Sequence, residues 1–326
     1  MPDDISRLWQ LADIITPFAL RVAATLRVAD HVAAGTTEIH DLARAVGAAP
    51  DALGRLLRCL AARDLFTEIA PGRFALTDLG ALLRDDHPQG SRRWLDLEGF
   101  GGTMDLSFTE LLPTVRSGRS PRSMRDTEIP DAIRDSFDDM MEAQSRQQTP
   151  AIVQEWDWSG VEHVVDLGGG TGTLVLGLLG ANPDLQATLI EATRAADRAR
   201  RLMAEENVAE RCEVIAGDFF EEPLPAADVY VLKFVLHGLA DADAVRLLGR
   251  CREAGGKRAR VLVIERSLGP DGDRQAFTAM DLRMLILGTG RERTLEEYAA
   301  LAVGAGMRLG AATPTAVGVH LIELEP

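Results

Sequence analysis

The fold of this 326-residue chain is decided by the stretch His163-Val164-Val165-Asp166-Leu167-Gly168-Gly169-Gly170-Thr171-Gly172. Two β-branched valines lie in an apolar run that ends in an acid and a glycine-rich turn. The apolar residues that follow recur at helical spacing, at Leu174, Val175, Leu178 and Leu179. A strand, a tight turn and a helix in this order predict the first βα unit of a doubly wound, mostly parallel α/β sheet.

The glycine-rich turn predicts a ligand site, because glycines let a ligand approach the unpaired N–H groups at a helix N-terminus. A dinucleotide fingerprint needs a third glycine where this chain has Thr173. Glu191 closes a second apolar run, residues 187–190, at the position where an acid binds ribose hydroxyls. These features favour an adenosine ligand, for which a pyrophosphate is not required, over a glycine turn that binds nothing.

A third strand is predicted over residues 212–217, and it ends in a second candidate for adenosine binding. Asp218 and Phe219 follow it directly. A carboxylate can accept a hydrogen bond from the exocyclic amine of adenine while an aromatic ring covers the face of the base. The alternative is an ordinary acid at the end of a strand.

A fourth strand is predicted over residues 228–237, and it contains two polar residues of interest. Lys233 lies inside the apolar run, where its side chain must reach solvent or a ligand. His237 lies at the predicted strand end, which parallel topology puts at the same sheet edge as Gly168 and Glu191. A lone histidine is more often structural, but this convergence favours a functional one.

Three more strands are predicted over residues 260–264, 307–313 and 317–324, which brings the sheet to seven strands. Glu265 follows the first of these three strands. The last two have no helix between them, so they are expected to pair in antiparallel fashion. The sheet is therefore expected to be parallel except at the end of the chain.

The first hundred residues predict a separate, mostly helical domain. Residues 5–31 are apolar on most faces, and Pro17 is expected to kink or split this helix. Such a helix needs cover, from its own domain or from a second subunit. Helices followed by a β-hairpin over residues 65–76 predict a winged helix. Winged helices often bind DNA, but the small basic cluster around Arg58 is more simply a solvated face.

Composition excludes several classes of partner. The chain has 35 basic and 50 acidic residues, a formal net charge of −15, so phosphate backbones and anionic membranes would repel its average surface. No apolar run approaches the roughly 20 residues of a membrane helix. The 3 cysteines are far apart and have neither zinc nor disulfide spacing, which favours reduced thiols in a cytoplasmic protein.

Four motifs, in this order, closely resemble the S-adenosylmethionine-dependent O-methyltransferases that act on phenols. They are Val-Val-Asp-Leu-Gly-Gly-Gly-Thr-Gly at 164–172, Gly-Asp-Phe-Phe at 217–220, Leu-Lys-Phe-Val-Leu-His at 232–237 and Gly-Arg-Glu-Arg-Thr at 290–294. The family includes plant phenylpropanoid enzymes, the animal hydroxyindole enzyme and bacterial tailoring enzymes of aromatic natural products. The resemblance covers nearly the whole chain.

The resemblance implies a three-part organisation with a class I methyltransferase, Rossmann-like fold. Residues 1–100 would form a winged-helix dimerisation domain, and residues 101–150 would form connecting helices that contribute to the acceptor pocket. Residues 151–326 would form the methyltransferase domain. In the family the winged helix makes a homodimer instead of reading DNA.

The resemblance also implies roles for individual residues. In the cofactor site, Gly168 and Gly170 would pass under the methionine and ribose parts of S-adenosylmethionine, Glu191 would hold the ribose, Asp218 and Phe219 the adenine, and Lys233 would lie beside it. His237 matches the general base, and Glu265 and Glu292 match the two acids that orient it. On the preceding helix, Met141 matches an acceptor contact, and Ser145 and Arg134 match cofactor contacts.

The implied function is methyl transfer from S-adenosylmethionine to a phenolic hydroxyl of a small aromatic natural product, with S-adenosylhomocysteine as product. The enzyme would be a cytoplasmic homodimer with no metal and no nucleic-acid or membrane partner. One departure concerns the base: the family often follows its histidine with aspartate and tryptophan, whereas this chain has Gly238-Leu239. Two alternatives remain, non-methylating tailoring chemistry (hydroxylation, decarboxylation or pericyclic) with the same fold and cofactor, and a ligand-sensing winged-helix regulator.

Overall fold

The structure, a computed structural model, describes residues 2–120, 129–268 and 273–326. The chain divides into two compact units. The first contains the described residues of 1–106 and 130–143, and the second contains those of 107–129 and 144–326. The sequence-based division at residues 100 and 150 stays a prediction.

The first unit is helical apart from one hairpin. Its elements are α1 (Pro2–Leu11), α2 (Ile15–Thr25), α3 (Val28–Ala33), α4 (Ile39–Val46), α5 (Pro50–Ala61), β1 (Phe66–Ala70), β2 (Arg73–Leu76), α6 (Asp78–Ala81), α7 (Ser91–Leu95) and α8 (Phe100–Leu106). The predicted hairpin is present, with β1 and β2 antiparallel and Phe66 opposite Leu76. Leu57, Leu60 and Phe74 are fully buried beneath it, so the hairpin closes the core of the helices.

The first helical stretch breaks before Pro17 and not at it, which corrects the sequence-based expectation. Helices α1 and α2 are separated by residues 12–14, and Pro17 lies in the first turn of α2, where its missing N–H costs no intrahelical bond. The break is stabilised by Asp13, whose Oδ1 accepts hydrogen bonds from the N–H groups of Ile15 (2.9 Å) and Thr16 (3.3 Å).

The second unit is built on the predicted seven-stranded sheet. Its strands are β3 (His163–Leu167), β4 (Gln186–Glu191), β5 (Cys212–Ala216), β6 (Val229–Lys233), β7 (Arg260–Glu265), β8 (Arg308–Pro314) and β9 (His320–Glu325). Their order across the sheet is β5-β4-β3-β6-β7-β9-β8. The five strands β3, β4, β5, β6 and β7 are mutually parallel, while β9 is antiparallel to both β7 and β8. The doubly wound, mostly parallel fold with a terminal antiparallel pair is confirmed.

The remaining helices are α9 (Leu111–Ser117), α10 (Asp131–Glu155, which has residues in both units), α11 (Thr173–Ala181), α12 (Thr193–Glu205), α13 (Asp241–Gly255), α14 (Arg274–Leu287) and α15 (Leu295–Gly304). Of these, α11, α12, α13 and α15 pack on the strands of the sheet, and α9 packs against α14. Alternate residues of β6 enter two cores: Val229 and Val231 pack on the side of α11, and Tyr230 and Leu232 pack on the side of α13. Apolar burial on both faces holds the strand ends rigidly.

The fourth strand is shorter than its sequence suggests. It ends at Lys233 because Phe234 has a left-handed backbone with φ of 55°, a conformation that a strand cannot continue. Residues Leu236–Gly238 then form one 3₁₀ turn. His237 therefore lies in a turn beyond the strand and not at its last position. The apolar pattern alone could not reveal this break.

In the described ranges, no helix is long and apolar enough to cross a membrane.

Candidate active site

The glycine turn after β3 forms an open cradle. Gly168, Gly170 and Gly172 all have left-handed backbones, with φ of 75°, 59° and 85°. A Cβ on Gly168 would approach Val235 Cγ2 to 2.9 Å, whereas one on Gly170 would meet nothing within 4 Å. The backbone at Gly170 therefore faces free space in which a ligand can lie close to the main chain.

The carboxylate of Glu191 is tied to this turn. Its Oε2 accepts a hydrogen bond from the N–H of Gly170 (2.9 Å), and its Oε1 accepts one from the N–H of Ala192 (2.7 Å). The side chain at the end of β4 is therefore fixed beside the open face of Gly170. This position suits an acid that holds a diol next to the cradle.

Asp218 and Phe219 lie beside the same turn. Asp218 is exposed, and its Oδ1 accepts a hydrogen bond from the N–H of Phe220 (2.8 Å). The Phe219 ring edge would lie 3.7 Å from a Cβ on Gly168. The structure thus places the Phe219 ring next to the glycine turn, and the adenine roles of Asp218 and Phe219 stay predictions.

Two oppositely charged groups lie beneath the cradle. Asp166 is 1% exposed, and within the described residues neither carboxylate oxygen has a hydrogen-bond partner. Burial raises the pKa of Asp166 to about 7, although the charge of Lys233 opposes that rise. Burial likewise lowers the pKa of Lys233 to about 8, against the attraction of Asp166 and Glu265. Both shifts reflect the cost of keeping a charge in this buried position.

His237 is held by two buried glutamates. Its Nδ1 lies 3.0 Å from Oε1 of Glu292 and 3.7 Å from Oε2 of Glu265. Its backbone N–H also donates to Oε1 of Glu265 at 3.1 Å. The imidazole side chain is 16% exposed and both carboxylates are 0% exposed. The three residues that the sequence predicted for this group are therefore brought together.

The electrostatics of this group follow from burial and charge. Burial alone would lower the pKa of His237, but the charges of Glu265 and Glu292 outweigh it and raise the pKa above 6.5. Burial raises the pKa of Glu265, and the nearby Glu292 raises it further, while His237 opposes this. A carboxylate can only accept, so the hydrogen bond to Glu292 assigns the neutral imidazole proton to Nδ1. The lone pair is then on Nε2, which bonds to none of the residues described.

Sequence reasoning missed two residues beside the imidazole. The Phe234 ring centroid lies 5.5 Å from that of His237, and the Arg266 guanidinium lies 5.2 Å from the Phe234 ring. Phe234 is one of only four non-glycine residues with positive φ in the described chain. Only its backbone strain marks it out, because an apolar residue after an apolar strand carries no sequence signal.

The residues predicted on α10 divide between the two units. Ser145 belongs to the second unit and is half-buried, and its carbonyl accepts a hydrogen bond from Thr149 Oγ1 at 2.8 Å. Arg134 and Met141 belong to the first unit. The cofactor roles of Ser145 and Arg134 and the acceptor role of Met141 stay predictions.

Within the ranges that the structure describes, no group of three or more histidine, cysteine, aspartate or glutamate side chains could hold a metal ion.

Comparison with known proteins identifies relatives along the whole chain. Residues 118–308 match the family model for an O-methyltransferase domain, and residues 9–86 match that for an O-methyltransferase dimerisation domain. The 2,7-dihydroxy-5-methyl-1-naphthoate 7-O-methyltransferase of Streptomyces carzinostaticus is 43% identical, covering 96% of each chain. Aclacinomycin 10-hydroxylase RdmB of Streptomyces purpurascens is 41% identical, covering 93% of this chain and 84% of its own.

A solved structure has the same architecture with ligands bound. It is the O-methyltransferase NcsB1 from neocarzinostatin biosynthesis, in complex with S-adenosylmethionine and 2-hydroxy-5-methyl naphthoic acid. It superposes with a TM-score of 0.88 at 42% identity, covering 97% of each chain. The two chains therefore have the same fold over nearly their whole length.

The histidine–glutamate contact makes a testable prediction about pH. In the wild type, the His237 ring should titrate above 6.5, and Glu292→Gln should move its midpoint down, because a neutral amide no longer favours the imidazolium. A raised histidine pKa stabilises the fold below the unfolded-state value and loses that contribution as pH rises through the folded-state value. The stability advantage of the wild type over Glu292→Gln should therefore shrink with rising pH.

Histidine ring NMR measures the midpoint, and denaturant unfolding at several pH values measures the stability difference. Glu297→Gln, in an exposed pair with Arg291, is the matched control and should leave the His237 midpoint in place. An unchanged midpoint in Glu292→Gln would contradict the assignment of the contact.

Proposed function

The chain belongs to the O-methyltransferase family that joins a dimerisation domain to a catalytic domain, and from this premise we propose that it methylates a phenolic hydroxyl of a small aromatic natural product. S-adenosylmethionine is the methyl donor, and S-adenosylhomocysteine is the product. The observation that carries the proposal is the contact of His237 Nδ1 with Glu292, which leaves Nε2 free to accept a proton.

The residues around the glycine turn fit the cofactor. The open face of Gly170 accommodates a ligand against the main chain, and a side chain at that position would fill it. Glu191, anchored beside it, would hold the ribose hydroxyls. Asp218 would accept from the adenine amine, with Phe219 against the base. Lys233 would lie below, where its charge and that of Asp166 influence each other.

His237 acts as the general base in this proposal. S-adenosylmethionine supplies a methyl group on a sulfonium that carries its own leaving group. Nε2 takes the phenolic proton while the oxygen bonds to the methyl carbon. A phenol of pKa about 10 is mostly protonated at neutral pH, so a base contributes on the order of 10²–10⁴ in rate. Glu292 and Glu265 orient the ring and stabilise the imidazolium.

The acceptor class is supported by the named relatives and by the site. The 43% identical enzyme acts on a dihydroxynaphthoate, as its name states, and the NcsB1 complex holds a hydroxylated naphthoic acid. On the side of the site, the aromatic ring of Phe234 lies beside His237, with the Lys233 ammonium (4.8 Å) and the Arg266 guanidinium (5.2 Å) also against that ring. Met141 remains our candidate for an acceptor contact on α10.

Hydroxylation is the second candidate, because RdmB is 41% identical over nearly the whole chain. Retention of His237 with both glutamates favours methyl transfer, since a base is needed to deprotonate a phenol. Incubation with methyl-labelled cofactor and a panel of phenols separates the two. Label in the product supports O-methylation, and an added oxygen without label supports hydroxylation.

We also propose a homodimer through the first unit, located in the cytoplasm and without a nucleic-acid partner. The net charge of −15 opposes nucleic-acid binding. The segment from α1 to the start of α2 exposes large apolar side chains at 42–73% of their surface, namely Ile5, Leu8, Trp9, Leu11, Ile14, Ile15 and Phe18. A contiguous apolar face of this kind needs cover, and a second copy supplies it.

Glu191→Ala should weaken S-adenosylmethionine binding, and it should also lower stability somewhat because the N–H groups of Gly170 and Ala192 lose their acceptor. Loss of a hydrogen bond to a charged acceptor costs about 1.5–3 kcal/mol, or roughly tenfold to a hundredfold in affinity. Isothermal calorimetry measures this, with the exposed Glu213→Ala on β5 as matched control. An unchanged cofactor affinity in Glu191→Ala would remove the ribose assignment.

His237→Ala should lose about 10²–10⁴ in kcat on weakly acidic phenols and keep its cofactor affinity. The loss should be much smaller for acceptors already ionised at the assay pH, because a phenolate needs no base. Steady-state kinetics over a series of phenols measures this, with the exposed His40→Ala as control. Equal fractional loss for every acceptor would make His237 part of the pocket wall and not the base.

The wild type should be dimeric at micromolar concentration. Trp9→Asp, at a side chain 71% exposed in the single chain, should weaken the dimer because it buries a charge in an apolar interface. Val303→Asp, at an equally exposed position of the second unit, is the control. Light scattering measures the mass, and a monomeric wild type that still binds the cofactor would refute the dimer.

A further inference from the structure

The turn that carries His237 has few backbone hydrogen bonds of its own, although the side chains of Leu236 and Leu239 are buried in the core on either side of it. It is one 3₁₀ turn between β6 and α13, closed by hydrogen bonds from the N–H of Gly238 to Val235 O and from that of Leu239 to Leu236 O, both 3.1 Å. Gly238 is exposed, so it adds no packing. A turn this short, containing a glycine, needs outside support to hold a side chain within the tolerance of a catalytic group.

Arg293 supplies that support. Its side chain is 1% exposed. One terminal nitrogen, Nη1, donates to Leu236 O at 2.6 Å, and the other, Nη2, donates to Leu239 O at 2.7 Å. The guanidinium thus binds the carbonyls on both sides of His237. A planar fork with donors at fixed angles can hold two such carbonyls at once, which an ammonium cannot do in the same geometry.

Asp241 anchors the guanidinium from the other side. Its Oδ1 accepts from Arg293 Nε at 3.0 Å and from Nη2 at 2.7 Å. Asp241 is the first residue of α13, and its side chain is 59% exposed. The buried charge is therefore paired through a carboxylate at the surface, and the pair connects the start of α13 to the turn.

The segment that contains Arg293 also binds the carbonyl of His237 itself. The N–H of Arg291 donates to His237 O at 2.8 Å, and a side chain at Gly290 would overlap that oxygen. Glu292, between Arg291 and Arg293, binds the imidazole. Residues 290–293 therefore hold the main chain and the ring of His237 together, and Arg293 fixes this segment to the turn.

We propose that Arg293, anchored by Asp241, is a positioning residue that sets where Nε2 of His237 points. The inference rests on the proposed role of His237 as base. The inference also explains how the turn is supported although Gly238 and Leu239 replace the family's aspartate and tryptophan. In this chain Arg293 supports the turn by binding the carbonyls of Leu236 and Leu239. Arg293 touches neither reacting group and acts through His237.

The test uses Arg293→Lys and Asp241→Ala in the full-length enzyme. Arg293→Lys keeps the positive charge but loses the planar guanidinium that binds two carbonyls. Asp241→Ala removes the exposed anchor and leaves the guanidinium in place. If Arg293→Lys fails to fold, Asp241→Ala tests the inference instead. Asp243→Ala, the other acid in the first turn of α13, controls for the charge at that helix end. Each variant is assayed on weakly acidic and on already ionised phenols, and also in a His237→Ala background.

We expect kcat on weakly acidic phenols to fall about tenfold to a hundredfold in Arg293→Lys, and less in Asp241→Ala, because a small misplacement of a reacting group has effects of this size. Cofactor affinity should stay within about twofold of the wild type. Ionised phenols should be little affected, and neither substitution should reduce kcat further in the His237→Ala background.

Equal loss on both classes of phenol, or full additivity with His237→Ala, would show a general structural role and overturn the inference. Asp243→Ala should match the wild type, and a loss equal to that of Asp241→Ala would also overturn it. Failure of this inference can be distinguished from failure of the proposed function. If His237→Ala shows dependence on acceptor pKa while these variants do not, the base stands and only the positioning role fails.

Discussion

The hydrogen bond between His237 Nδ1 and the buried carboxylate of Glu292 is the interaction on which the site depends. It orients the imidazole, and it assigns the proton to the nitrogen that faces the protein. Two fully buried carboxylates are costly to keep charged, and the raised pKa of Glu265 reflects that cost. The fold tolerates them because His237 supplies the compensating charge when it takes a proton. The energetic strain of the pair is thus relieved by the same step that the reaction requires.

The sheet determines where these groups meet. Between β3 and β6 the strand order reverses direction along the chain, and in open α/β sheets ligands bind at such a switch point. The glycine turn follows β3, and the histidine turn follows β6. The two turns are consequently neighbours by topology. Apolar packing on both faces of β6 then keeps the two turns at a constant separation.

Much of this could be predicted from the sequence, because strand-end residues of a parallel sheet must share an edge. Gly168, Glu191, Asp218 and Glu265 follow apolar runs directly, so their positions required only the strand order. The grouping of His237 with Glu292 came from a family resemblance, since the two residues are 55 positions apart and no local pattern connects them.

Other features could not be predicted, for definite physical reasons. The end of β6 depends on a left-handed Phe234, and the apolar run continues past it without a signal. Arg293 looks like any charged residue in sequence, and its role depends on the loop that brings it to two carbonyls. Burial of a charged side chain is decided by tertiary contacts, which composition does not encode.

The most direct test of this account is the pH dependence of wild-type kcat with a phenol that ionises well above the assay range. If neutral His237 is the base, kcat and kcat/KM for the phenol should both fall tenfold per pH unit on the acidic side, and the midpoint of kcat/KM should equal the His237 pKa measured by NMR in the cofactor complex. The sulfonium charge should bring that midpoint below its value in the free enzyme. A kcat that is independent of pH through the histidine titration would contradict the account.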